Sequence, residues 1–222
     1  MNFSGNFPRY RWGLHIPPGL ASRCEMTVIR LKIEAMPNPG TRSPRKVLVI
    51  ATGGTFEKVY DEAQGKIENR ESILEGGIVR KLRLPHSAVE VMTIMNKDSL
   101  DMDDADRARV VAEILKREAE DAPIIVVHGT DTVDRTARRC CEEIRAPRVA
   151  VVFTGAMKPV GFEDSDARQN FTEALMAARL LPPGFYLSFH GEVYRAPHFT
   201  KNRELGTFEA LPGGELPSPR AR

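Results

Sequence analysis

The sequence predicts an α/β fold, a doubly wound, mostly parallel sheet with helices on both faces. Three observations carry that prediction. Short aliphatic runs such as Lys46–Thr52 (KVLVIAT), Pro123–Val127 (PIIVV) and Arg148–Thr154 (RVAVVFT) read as strands buried on both sides, the mark of a parallel sheet. Segments with apolar residues at helical spacing alternate with them. Three of the strands end in small, polar, glycine-containing turns, where open sheets of this kind bind ligands.

Lys46–Thr52 runs into Gly53-Gly54, so a buried strand enters a tight turn. Glu71–Leu82 predicts a short helix, weakened by Gly76-Gly77. Ala88–Ile94 reads as the second strand. In Asp103–Asp121, Val110, Val111, Ile114 and Leu115 recur among charges, giving an amphipathic helix. The strand Pro123–Val127 precedes a helix over Thr132–Ile144, and Arg148–Thr154 is the next strand. A helix over Asp166–Leu181 is stopped by Pro182-Pro183 ahead of the strand Phe185–Phe189.

A chain of 222 residues with 41% hydrophobic content suits one domain or slightly more, with a real core. Of 16 prolines, six fall in residues 1–46 and three in 211–222, and the first 46 residues carry eight Lys/Arg against two Glu. Residues 1–45 therefore read as a poorly ordered, basic, Pro-rich arm with a short strand at Met26–Ile33, 46–210 as the α/β domain, and 211–222 as a disordered tail. The arm is not a secretory signal, because Pro17, Pro18 and scattered arginines interrupt any apolar stretch. It resembles a transit peptide only weakly; a start codon assigned upstream of Met26 or Met36 accounts for it more simply.

Composition removes several function classes. Apolar runs of about five residues fall far short of the roughly 20 that cross a bilayer, so no membrane role is expected. A net charge of +2 gives no electrostatic case for nucleic acid. Cys24, Cys140 and Cys141 have neither metal-ligand spacing nor a plausible pairing, which fits a reduced, cytoplasmic compartment.

The chemistry lies in the turns. Thr52-Gly53-Gly54-Thr55 lacks the lysine and spacing of a phosphate loop; it is either an ordinary turn or a hydroxyl on backbone that substrate can approach, with N–H groups able to stabilise an oxyanion. Thr130-Asp131-Thr132 follows His128-Gly129; helix capping explains one such residue but not three in succession. His128 reads as a packed, hydrogen-bonded histidine rather than a base. A threonine nucleophile needs a proton acceptor, and no Ser-His-Asp set is evident. Lys201, if shielded from water, could serve Thr130 in that way with Asp131 holding the arrangement; taken alone it reads as a surface lysine, and the spacing does not settle it.

Together these pieces resemble the bacterial-type L-asparaginase family of threonine amidohydrolases. The matching motifs are Ala51-Thr52-Gly53-Gly54-Thr55, His128-Gly129-Thr130-Asp131-Thr132, Gly155-Ala156-Met157-Lys158-Pro159 and Asp166–Asn170, in the family's order across residues 46–210. The resemblance implies the N-terminal domain fold of that family and hydrolysis of L-asparagine, with L-glutamine as an alternative substrate. It implies Thr55 as the nucleophile that forms an acyl-enzyme, assisted by Tyr60 on the loop beyond the turn. Thr130, Asp131 and Lys201 match the group that relays protons or activates water, and Asp131 also holds the α-ammonium. Ser99 matches the serine that binds the α-carboxylate, while Gly54 and Gly129 lie where substrate meets backbone.

The resemblance implies no metal or organic cofactor, and a homodimer or higher oligomer. Longer members continue into a small C-terminal domain whose acidic residue helps a neighbouring subunit's site, whereas this chain ends at Arg222, so a short form with altered ammonium recognition is expected. Leu100 stands where many members place a glutamine, and Ala167 where the pattern has glycine. The competing readings are an ammonia-supplying subunit of a Glu-tRNA amidotransferase and a non-catalytic amino-acid-binding protein.

Overall fold

The computed structural model describes residues 43–61, 65–69, 74–214 and 216. The expected strand Met26–Ile33, nearly all of the arm and the end of the tail lie outside the described residues. The chain opens with β1 (Arg45–Gly53), a 3₁₀ turn (Thr55–Glu57), and a hairpin of β2 (Lys58–Asp61) and β3 (Lys66–Asn69). Then come β4 (Ser87–Lys97), α1 (Asp104–Arg117), β5 (Ile124–Val127), α2 (Val133–Glu143), β6 (Ala150–Thr154) and α3 (Ala167–Leu180). The strands β7 (Gly184–Phe189), β8 (Glu192–Arg195), β9 (Phe199–Asn202) and β10 (Thr207–Ala210) complete it.

Six strands form the main sheet in the order β4-β1-β5-β6-β7-β8; β8 alone runs antiparallel to its neighbour. The predicted mostly parallel, doubly wound sheet is therefore observed. Alternate strand residues feed two cores. Leu48, Ile50, Ile124, Val126, Val151 and Phe153 face α1 and α2, whose Val110, Val111, Ile114, Val133, Ala137 and Cys140 are buried with them. Val47, Val49, Ile125, Val127 and Val152 face the other way, against Phe171, Ala174, Leu175 and Ala178 of α3. The start of α1 is fixed by reciprocal caps: Asp103 Oδ1 accepts from Asp106 N–H at 2.9 Å, and Asp106 Oδ2 accepts from Asp103 N–H at 3.0 Å.

The helix expected over Glu71–Leu82 takes another form: a single π turn (Leu74–Ile78) and a 3₁₀ turn (Val79–Lys81). Gly76-Gly77 sits inside that stretch, where two glycines raise the entropic cost of a regular helix. Leu74 and Ile78 still bury themselves fully on the α3 side. Leu211 and Gly214, within the stretch read as a tail, fold back: Leu211 N–H donates to His198 O at 3.0 Å, and Gly214 O accepts from Arg195 N–H at 2.8 Å.

This winding creates the crevice that matters. β1 and β5 are adjacent and parallel, with Leu48 opposite Ile124 and Ala51 opposite Val127. From β1 the chain turns back to reach β4 on one side; from β5 it passes through α2 to β6 on the other. Loops leaving the carboxyl ends of β1 and β5 thus diverge, the condition for a binding cleft at a switch point.

Candidate active site

The three glycine turns meet at that crevice. Gly54 has φ +82°, and a Cβ there would lie 2.5 Å from Gly129 Cα. A Cβ on Gly129 would come within 2.7 Å of Ser99 Oγ, and one on Gly155 within 2.4 Å of His128 O. Any side chain at these positions would force the turns apart. The Gly54 N–H donates to Lys97 O at 2.9 Å, so what Gly54 brings to this turn is close approach rather than a donor for substrate.

Lys201 reaches the centre from β9, whose flanking Phe199 packs in the core with Phe208 of β10, the residue opposite Lys201. Its Nζ donates to Thr130 Oγ1 at 2.7 Å and to Asp131 Oδ1 at 3.1 Å. Thr130 is 4% exposed. Arg203 Nη1 also lies 2.7 Å from Asp131 Oδ1. Partial burial pushes the Asp131 carboxyl up, but hydrogen bonds and charge from Lys201 and Arg203 outweigh it and hold the group below the usual carboxylate range.

Ser99 opens a 3₁₀ turn set by Asp98, which accepts from Leu100 N–H at 3.0 Å and pairs with Lys58 Nζ at 2.7 Å. The Ser99 carbonyl accepts from Thr132 Oγ1 at 2.7 Å, tying this turn to the one after β5. The Ser99 Oγ is itself buried without a hydrogen-bond partner, facing the Gly129 backbone. Such an atom is costly unless something outside the protein completes it. Thr55 is half-buried at the start of the turn after β1, and the backbone of Tyr60 lies in β2, paired with Ile67. Thr52, by contrast, is structural: its hydroxyl donates to Val127 O at 3.1 Å inside the sheet.

His128 is the packed histidine expected. Its Nδ1 donates to Gly129 O at 2.8 Å, leaving Nε2 to accept from Thr136 Oγ1 at 2.9 Å. Full burial pushes this imidazole down to about 4. An unfolded histidine titrates near 6.5, so the unfolded chain binds the extra proton between those values. Stability from this group is complete above pH 6.5 and falls toward pH 4, by about 3 kcal/mol in all. Urea midpoints at about pH 7 and about pH 4.5 should show that loss, and His128→Gln should remove most of its slope. An unchanged slope in the variant would show that other groups cause it.

Asp166 and Asn170 hold the third turn. Asp166 accepts from Met157 and Lys158 N–H at 3.0 Å, while Asn170 Nδ2 donates to Gly155 O and to Asp166 Oδ2, each at 2.9 Å. Ala167, at the position where the motif has glycine, starts α3 fully buried. Nothing in the sequence marks His190, yet it donates from Nε2 to Asp166 Oδ2 at 2.9 Å and meets Thr207 Oγ1 at 3.1 Å, locking the β7 end to this turn and to β10. Among the described residues, no group of three or more His, Cys, Asp or Glu could hold a metal ion.

Comparisons with known proteins place the fold in a family. The L-asparaginase of Thermococcus kodakarensis is 32% identical over 162 residues, covering 72% of this chain and 49% of its own length. The solved structure of the thermostable L-asparaginase from that organism superimposes with a TM-score of 0.68 at 30% identity, covering 74% of this chain and 51% of that one. A glutamyl-tRNA(Gln) amidotransferase component from Thermoplasma acidophilum is 31% identical over 134 residues, 59% of this chain and 32% of its own length. The chain thus spans about half the length of the L-asparaginase it matches, and less of the amidotransferase component. Residues 46–217 match the family described as Asparaginase, N-terminal, and the chain belongs to that family.

Proposed function

We propose that the domain over residues 46–210 hydrolyses the side-chain amide of L-asparagine to L-aspartate and ammonia, with L-glutamine as a poorer substrate. The observation that carries this is Lys201 Nζ held between Thr130 Oγ1 and Asp131 Oδ1, at 2.7 and 3.1 Å. Thr55 Oγ1 attacks the amide carbon and its proton passes to the departing nitrogen, with Tyr60 assisting. The C–N bond breaks, ammonia leaves, and an ester to Thr55 remains. Water then adds to the ester carbon while Thr130, Asp131 and Lys201 move its proton, releasing the carboxylate and restoring Thr55. The buried, unpartnered Ser99 hydroxyl supports its role as donor to the α-carboxylate, and Asp131 receives the α-ammonium.

Purified protein at millimolar L-asparagine should release ammonia at a turnover of roughly 1 to 10³ per second, and more slowly from L-glutamine. No ammonia from either substrate overturns this reading. The likeness to the amidotransferase component supports a second one, in which ammonia is passed to a partner chain; co-purification of such a chain would favour it. A cytoplasmic homodimer or higher oligomer is the assembly proposed with the first.

A further inference from the structure

We infer that Lys58 is a further substrate-binding residue, whose ammonium meets the α-carboxylate alongside Ser99 and sets the preference for substrates in which that carboxylate is free. The inference rests on the proposed amidohydrolase reading, in which Ser99 donates to the α-carboxylate and Asp131 receives the α-ammonium. Lys58 directly follows the 3₁₀ turn that Thr55 opens, and its backbone N–H donates to Thr55 O. Its side chain crosses to another turn, where Nζ meets Asp98 Oδ2 at 2.7 Å. Asp98 immediately precedes Ser99 in the chain. A cation carried by the turn of the proposed nucleophile is thus fixed against the turn of the proposed carboxylate donor.

One hydroxyl does not balance a carboxylate drawn out of water, which needs positive charge or several donors. Ser99 is followed by Leu100, which is 66% exposed and has no polar group to add. The other cations next to this turn in the chain are committed elsewhere. Lys97 Nζ donates to both carboxylate oxygens of Asp106, at 2.9 and 2.7 Å, and Arg107 Nη1 to the Met102 and Asp103 carbonyls, at 2.6 and 2.9 Å. Lys58 differs. Its ammonium has three N–H donors and, among the described residues, Asp98 as its side-chain partner, which leaves donors for a ligand. Asp98 Oδ1 accepts from Leu100 N–H at 3.0 Å, which holds the pair against Ser99. The pair lies on the side of Lys201, whose charge also reaches Asp98. Partial burial pushes this carboxyl up, but Lys58, the Leu100 N–H and Lys201 together hold it below the usual carboxylate range. Lys58 therefore offsets the negative charge beside Ser99 that would repel an arriving carboxylate, and offers that carboxylate a further donor.

The test compares L-asparagine with L-asparaginamide, in which the α-carboxylate is an uncharged amide, with the side-chain carboxylate formed as the readout. It uses the full chain and its Lys58→Met, Lys58→Arg and Asp98→Asn variants. The unaltered protein should prefer L-asparagine in kcat/KM by about 100-fold or more. Lys58→Met should cut that preference about tenfold, chiefly through KM, the worth of one charge-assisted contact. Lys58→Arg should restore most of it. Asp98→Asn keeps an acceptor for Leu100 N–H and removes the competing charge, so it should raise the preference by about threefold. A lysine that merely ties two turns together would affect both substrates alike, and losing either partner would act in one direction. A preference unmoved by Lys58→Met, or lowered by both Lys58→Met and Asp98→Asn, overturns the inference. Calorimetry with L-aspartate supplies a readout apart from turnover, its Kd rising about tenfold in Lys58→Met and recovering in Lys58→Arg. If that pattern holds in a protein that hydrolyses neither amide, the amidohydrolase reading fails and the role of Lys58 stands. Thr55-dependent ammonia release with an unmoved preference removes only the Lys58 inference, and neither binding nor hydrolysis removes both.

Discussion

Thr55→Val is expected to lower ammonia release from L-asparagine by about 10³-fold or more, with the folding midpoint almost unchanged. Valine matches threonine in shape and replaces only the hydroxyl. Thr55 is half-buried at the start of a short 3₁₀ turn, outside the sheet. The variant should still bind L-aspartate, since Ser99 and Asp131 lie on other segments. Thr55→Ser, which keeps the attacking oxygen, should return part of the rate. The competing assignment makes Thr130 the nucleophile, because its hydroxyl is the one already hydrogen-bonded to Lys201. The two are separated by trapping: an ester on Thr55, found by mass spectrometry after acid quench, supports the proposal. Full turnover in Thr55→Val would remove it.

What the sequence made visible follows from burial. β1, β5 and β6 are covered on both faces, so their residues run apolar without alternation and stand out. The helices α1, α2 and α3 each carry one apolar face and lie within the predicted ranges. The convergence of three turns was legible because parallel strands must end on the same edge. By contrast, β8, β9 and β10 hold four residues each, too few for a period to emerge, and Lys201 lies on one of them. Its place beside Thr130, 71 positions earlier, came from family resemblance rather than from spacing. Ser99 sits among Asp98, Asp101 and an exposed Leu100, so nothing local announces a serine that is only 1% exposed. His190 was invisible for a similar reason, since Asp166 and Thr207 lie 24 and 17 positions away.

Lys201→Met is the second large effect expected, a loss of about 10² to 10⁴ in kcat. Methionine keeps most of the stem and removes the amine that meets both Thr130 and Asp131. Two consequences compete. Loss of the cation leaves Asp131 with Arg203 alone, which costs some stability because the carboxylate is partly buried. The apolar replacement beside Phe199 and Phe208 offsets part of that, and the net change should stay within about 1 kcal/mol. Activity and stability therefore separate, which a merely structural lysine would not allow. Thr130→Val should lose a similar share of the rate, and the double variant little more than either alone, because both act in one relay. Lys201→Ala supplies the complementary measurement: a small primary amine added to the solution can enter the gap and restore part of the turnover, with a pH profile set by the added amine. Turnover unchanged in Lys201→Met, or lost only in step with unfolding, would show that the 2.7 Å contact with Thr130 holds the hairpin and moves no proton.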